Sequence, residues 1–425
     1  MTWSGIISIA NSMLVWIFMA RMRDVEDVGR FTIVMGVYAL FFSLTALGLM
    51  PHMVSEISRR NAVETNERSI SEFVSSASVF LIIAAVVLAV AMTASGLAVS
   101  NSHQVRISVA ALSLSLIPTN LIAVFEAGAM ASRRMKLVAA VTTTENLLRT
   151  IVPIALIWAG YDIFAICVSF VAVRCVATVV YAVATRIHIS QFTFCRREFL
   201  KIASACPTFA GTGIISSLNW QAPLFLLAYL ATESQTAIFG AASRFLIPVS
   251  ILLGGYVNAM QPTIVRRVIH EPETCGSFLS KIASYPLVVG VVAAIGSFFL
   301  SGTVLYLMFG SDYVNAAPTL NVLVMSVIPF CLVMVASRGL IATGAQRIDL
   351  CANTVGFIAG VCAGLIAIPS YGAVGAAISQ LVCFSSMAIV EVAYLSRKIG
   401  GFRIWGSAAV SSAGVVSIYL LLWNF

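Results

Sequence analysis

The sequence predicts an all-α, polytopic membrane protein with about 12–14 transmembrane helices. Three observations carry that prediction. Of 425 residues, 60% are hydrophobic and 10% charged, against roughly 25% charged residues in an average soluble domain. Mean hydropathy is +0.99. The apolar residues gather in runs close to the ~20 residues a helix needs to cross the hydrocarbon core. So few charges exclude a soluble enzyme, a disordered chain and a secreted disulfide scaffold.

The first run, 3–20, lacks the basic leader and small-residue cleavage site of a secretory signal and reads as a retained first span. Runs follow at 31–54, 73–99, 107–126, 137–158 and 162–184, giving six spans in an N-terminal lobe over 1–184. A polar segment, 185–201, forms a cytoplasmic linker. The C-terminal lobe, 202–395, holds runs at 202–230, 238–265, 282–308, 319–342, 350–368 and 374–395, and an extra helix is expected at 404–423. Because six is even, both lobes enter the membrane in the same sense, which allows a parallel repeat about the membrane normal. Each lobe opens with a span, a short outer loop and a small-x-Phe step (Gly29 to Phe31, Ala237 to Phe239) before a span that leads to an Arg pair.

The net charge is +8, and short loops rich in Lys and Arg stay cytoplasmic. With the N-terminus inside, the inner loops hold Arg59, Arg60, Arg68, Arg133, Arg134, Lys136, Arg186, Arg196, Arg197, Lys201, Arg266, Arg267, Lys281, Arg347, Arg397, Lys398 and Arg403, whereas the outer loops hold Arg21, Arg23, Arg30 and Arg106. Asp24, Glu26 and Asp27 nearly neutralise the first three of those outer arginines. Surface pairing and the outer rim of a pathway remain as equal readings of Arg21 and its neighbours.

Arg149, Arg174, Arg244 and Arg338 fall inside predicted spans. An Arg at the bilayer centre costs about 2.5–3.5 kcal/mol on insertion scales, so a deep one must face protein or water. Arg174 lies roughly 15 Å from either surface at ~1.5 Å rise per residue, with no acid within reach on its own helix. Arg149 is similarly deep, and Glu145 four residues earlier shares its helical face; ligand contact and salt bridge stand equal for it. Arg244 lies nearer the outer end of its span. Arg338, Glu126 and Glu391 read as snorkelling residues near span ends. In 202–230, Thr208, Thr212, Ser216, Ser217, Asn219 and Gln221 make the least lipid-like span, open to two readings: interhelical hydrogen bonding, or the lining of a wet cavity. A cationic interior suits an anionic substrate, since the guanidinium fork matches phosphate oxygens.

No enzymatic constellation appears: there is no H-E-x-x-H, P-loop or dinucleotide fingerprint. Seven cysteines, Cys167, Cys175, Cys206, Cys331, Cys351, Cys362 and Cys383, lie in or beside apolar runs without a C-x-x-C pair and read as packing residues. His52, His103, His188 and His270 lack partners at ligand spacing, so neither a metal nor a cofactor is implied.

The segment WIFMARMRDVEDVGRFTIVMGVYALFFSLTALGLMPHMVSEISRR resembles the opening of the polysaccharide-export flippases. These are a branch of the multidrug, oligosaccharidyl-lipid and polysaccharide exporter superfamily. Arg21, Gly29, Phe31, Gly48, Leu49, Glu56, Arg59 and Arg60 match its pattern; IFGAASRFLIP places Arg244 on the family's span-8 Arg; FGSDYVNAAPTLNVL and IPSYGAVGAAISQL resemble later segments. The acid common near the outer end of span 7 is replaced by Asn219 and Gln221, which puts ion coupling there in doubt. The resemblance implies two six-helix lobes around a central cavity of alternating access in a bacterial inner membrane. It further implies a polyprenyl-diphosphate-linked oligosaccharide as substrate, with its lipid tail in the bilayer, and glycosyltransferases and a polysaccharide polymerase as associated machinery, with no nucleic acid. Arg174, Arg149, Arg244, Arg21, Asn219 and Gln221 are then the candidate substrate-binding residues. A multidrug exporter of the same superfamily and a membrane-embedded polymerase or ligase are the competing readings.

Overall fold

The computed structural model describes residues 3–45, 49–63, 67–132, 134–185 and 193–399. The helix expected at 404–423 and residues 186–192 of the expected linker lie outside the described residues. Among those described, the regular structure is entirely helical, and eight stretches are long and apolar enough to cross a membrane. The chain divides into two compact units, Met1–Ser217 and Leu218–Phe425.

Unit 1 contains α1 (Trp3–Met22), α2 (Val25–Ser43), α3 (Met50–Val63), α4 (Glu67–Val99), α5 (His103–Ser113), α6 (Leu116–Ala131), α7 (Met135–Trp158), α8 (Ile163–Thr185) and the start of α9 (Arg196–Leu230). Two predicted spans are broken. The run 31–54 is split between α2 and α3, with Pro51 in the first turn of α3, where its missing N–H costs nothing. The run 107–126 is split between α5 and α6 because Pro118 cannot donate to the carbonyl of Leu114 and its ring crowds that carbonyl. Helix α2 also starts earlier than hydropathy indicates: Glu26 and Asp27 in its first turn offset the positive end of the helix dipole. At the far end of α7, Arg23 donates to the carbonyls of Ile157 and Tyr161, a cation at a helix C-terminus.

Among the described residues of unit 1, two apolar clusters stand out. Leu49, Met53 and Ile57 pack with Phe73 and Leu81 of α4 and Val124 and Ala127 of α6. Ile122 and Phe125 of α6 meet Val141 of α7 and Ala177 and Tyr181 of α8. This second core fixes the register of α7 against α8, and Tyr181 adds a 3.2 Å hydroxyl contact to Thr142. Val87 and Val90 of α4 face outward and are 62% and 65% exposed, a surface suited to hydrocarbon rather than water.

Unit 2 continues with α10 (Glu233–Ser243), α11 (Leu246–His270), α12 (Pro272–Phe309), a 3-10 turn (Ser311–Ala316), α13 (Ala317–Ala342), α14 (Gln346–Tyr371) and α15 (Ala373–Lys398). The predicted span 238–265 is broken between α10 and α11 by Pro248, four residues after Arg244. The order Ser-x-x-Leu-Ile-Pro is the same at 113–118 and 243–248, and in both the serine hydroxyl donates back into its helix, Ser113 to Ala110 and Ser243 to Gly240. Helix α13, apolar all round, is buried among its neighbours.

The seam between α14 and α15 is built on Gly356, Gly360 and Gly364. Spaced by four, they form one smooth stripe that lets backbones approach closely. A Cβ on Gly356 would meet Met387 Cγ at 2.3 Å, and one on Gly360 would meet Cys383 Cβ at 2.9 Å. Gly372 takes φ +53° at the turn between the helices, a conformation glycine adopts without Cβ strain.

Candidate functional site

In unit 1 the deep charges converge. Glu145 on α7 is 6% exposed and Arg174 on α8 is 8% exposed. Glu145 Oε1 lies 2.6 Å from Arg174 Nη1 and 3.9 Å from Arg149 Nη1, so one carboxylate is shared by two guanidiniums and the trio keeps a net positive charge. Sequence spacing assigns Glu145 to Arg149, one turn on. Packing of α7 on α8 gives it chiefly to Arg174, because the second unit-1 core brings the two helices together at that level. Arg174 has no acid within reach on its own helix, as expected, and takes its acidic partner across the α7–α8 contact.

Aromatic rings complete the cluster. Arg174 Cζ sits 5.4 Å from the Phe42 ring centroid and Arg149 Cζ sits 5.2 Å from that of Phe170, cation–π geometry that helps hold a desolvated cation. Tyr38 on α2 lies beside the Arg149 guanidinium. Glu126 on α6, expected as a snorkelling residue, instead interacts electrostatically with both Arg174 and Glu145. Nε of Arg149 and Nε of Arg174 are buried with no hydrogen-bond partner among the described residues. Two buried N–H donors without acceptors are costly, and chemically they ask for an anionic oxygen.

The other candidates lie elsewhere. Arg21 is exposed in the last turn of α1. Arg244, in unit 2, caps the C-terminus of α10 at the break enforced by Pro248. Asn219, 2% exposed, belongs to a tight polar knot: its Nδ2 donates to the backbone and side-chain oxygens of Asn353, both at 3.2 Å, and its carbonyl accepts from Gln380 Nε2 at 3.3 Å. Pro223 explains that last bond, since it leaves the Asn219 carbonyl without its helical donor. Of the two readings for this span, Asn219 follows interhelical hydrogen bonding. Gln221 is half-buried. Arg338 is half-buried near the end of α13.

Sequence reasoning missed Tyr38, Phe42 and Phe170, and read Glu126 only as a snorkelling residue. It also overlooked a usable signal: Arg149, Asn219 and Arg244 each stand four residues before a proline, Pro153, Pro223 and Pro248. A carbonyl released in this way marks irregular backbone, which membrane proteins confine to protein-lined or water-lined positions.

Residues 1–268 match the family described as polysaccharide biosynthesis protein. The chain belongs to that family. No curated protein matches the sequence. Among solved structures, the lipid II flippase MurJ in an inward closed conformation is similar with a TM-score of 0.73 at 14% identity, over 98% of this chain and 92% of that one. An inward-facing multidrug resistance MATE-family transporter of the MOP superfamily gives 0.71 at 14% identity, over 98% and 96%. A MOP-superfamily transporter from Pyrococcus furiosus, reported to have a binding pocket of reverse polarity, gives 0.61 at 15% identity over 94% of each chain. This member of the polysaccharide biosynthesis family therefore has the fold of MOP-superfamily transporters and is a multi-pass membrane protein.

Proposed function

We propose that the protein flips a polyprenyl-diphosphate-linked oligosaccharide from the cytoplasmic to the outer face of a bacterial plasma membrane by alternating access. The carrying observation is the pair of deep guanidiniums in unit 1, Arg174 buried and Arg149 half-buried, each with a buried Nε–H that nothing among the described residues accepts. A diphosphate supplies the missing acceptor oxygens, and the guanidiniums replace the water that solvates it outside the membrane. Before substrate binds, Glu145 offsets one of the two positive charges, and the incoming diphosphate displaces it. Family membership and the likeness to a lipid II flippase fold support the same substrate class. The lipid tail stays in the bilayer, the N-terminus lies in the cytoplasm, and glycosyltransferases supply the substrate that a polymerase then consumes.

Export of cationic drugs would call for a carboxylate open to a cation. Glu145 is instead engaged by Arg174 at 2.6 Å, which favours the anionic substrate. Arg174→Ala combined with Arg244→Ala should abolish surface polysaccharide while the protein remains in the membrane, and Arg338→Ala should leave it unchanged. Normal polysaccharide in the double variant would overturn the proposal.

A further inference from the structure

Unit 2 holds two carboxyl groups that the flipping cycle described above does not use. Glu391 on α15 is 0% exposed, and neither of its oxygens has a hydrogen-bond partner among the described residues. The carboxyl of Asp349, in the first turn of α14, faces it across the α14–α15 seam, and Asp349 Oδ1 is also buried and without a hydrogen-bond partner among the described residues. Two carboxylates are both acceptors, so the contact closes only when one of them carries a proton.

The surrounding charges do not relieve the pair. Helix α13 contributes one charged residue, Arg338, which is half-buried; α14 adds Arg347 and α15 adds Arg397 and Lys398, all three exposed. Lys398 is turned to the carbonyl of Thr343 at 3.3 Å. Helix α10 offers Glu233 alone, in its first turn, and the unit-2 part of α9, residues 218–230, carries no charged residue. Two facing carboxylates in a low-dielectric site repel one another, and a buried acceptor without a donor is unfavourable. A proton between them removes both penalties.

The neighbouring packing leaves the helix ends little room to slide apart. One turn along α14, Asn353 donates to the Asp349 carbonyl at 2.9 Å and holds Asn219 of α9. Gly356 then seats Met387 of α15 so closely that no Cβ fits between them. We infer that Asp349 and Glu391 form a binding site for one proton, shared between the two carboxyls while the α14–α15 seam is closed. The O–H of one carboxyl donates to an oxygen of the other. When the helix ends part, water takes the proton, and the two carboxylates left behind hold the ends open by repulsion.

Infrared difference spectroscopy on the full-length protein in lipid nanodiscs tests this without reference to transport. The expected result at neutral pH is a protonated-carboxyl C=O band that shifts in deuterated buffer. The band should be lost in both Glu391→Gln and Asp349→Asn, whose amide N–H groups close the same contact and preserve the unfolding temperature. Absence of the band in the wild type, or its survival in both variants, would overturn the inference. So would a wild-type band removed at constant pH by sodium chloride but not by choline chloride, since the site would then hold a metal cation.

Discussion

Replacing Glu145 with Gln removes one negative charge from between the buried guanidinium of Arg174 and the half-buried one of Arg149 while keeping the shape of the side chain. Removing one partner of a buried ion pair costs about 3–5 kcal/mol, mostly because the other charge is left uncompensated. The two arginines should not share this loss equally. Coulomb energy falls as the inverse of distance, and Glu145 Oε1 is 2.6 Å from Arg174 against 3.9 Å from Arg149; the attraction to Arg174 is therefore about 1.5 times the larger at equal dielectric. Double-mutant cycles of Glu145→Gln with Arg174→Gln and with Arg149→Gln, read by thermal unfolding in detergent, should show couplings within the roughly 0.5–3 kcal/mol usual for contacting residues. The Arg174 cycle should give the larger one. Inorganic pyrophosphate should also raise the unfolding temperature of Glu145→Gln more than that of the wild type, because the two cations then lack their internal counter-ion. Additive effects in both cycles, or a larger coupling to Arg149, would refute the reasoning.

Away from the spans, Glu56 accepts from Arg59 at 2.8 Å and from Arg60 at 2.9 Å, and Arg60 also reaches Glu198 at 2.8 Å. The hydrogen bond from Arg59 foremost pulls the Glu56 carboxyl from 4.5 down to about 2. Its stabilisation is therefore complete above pH 4.5 and lost as pH falls from there through about 2; Glu56→Gln should flatten the unfolding temperature over that interval, and an unchanged acid slope would show that the network contributes nothing. At the α14–α15 seam, Gly360→Val must displace Cys383 Cβ, 2.9 Å from the added Cβ, and should destabilise by about 1–3 kcal/mol. Gly296→Ala, where a Cβ meets nothing within 4 Å, should leave the unfolding temperature unchanged or higher.

Fold class was legible because hydrocarbon imposes a strong pattern: helices must be long and apolar, and that pattern needs no tertiary information. Breaks within spans were not legible from hydropathy, because the runs around Leu114 and Phe245 stay apolar on average across them. Pro118 and Pro248, four residues after Leu114 and Arg244, decide those breaks. Arg149 and Arg174 stood out because an intramembrane cation is expensive wherever it sits. Their sharing of Glu145 was hidden, since it depends on which faces of α7 and α8 meet, and that is set by Val141, Ala177 and Tyr181. Helical spacing pointed to Arg149, whereas the closer partner comes from another helix. Asn219 shows the reverse case: its polarity was plain in the sequence, but its role in the knot with Asn353 and Gln380 follows from helices more than a hundred residues away.

The most direct test of the central claim is a flipping assay in liposomes with purified protein. It would compare a polyprenyl-diphosphate oligosaccharide with the same glycan on a lipid whose linkage carries no charge, in the wild type and in Arg149→Ala combined with Arg174→Ala. Paired deep arginines acting on the diphosphate predict fast translocation of the charged substrate by the wild type alone, with the uncharged lipid moving slowly and equally in both proteins. Equal flipping of the diphosphate substrate by the wild type and the double variant would contradict the account.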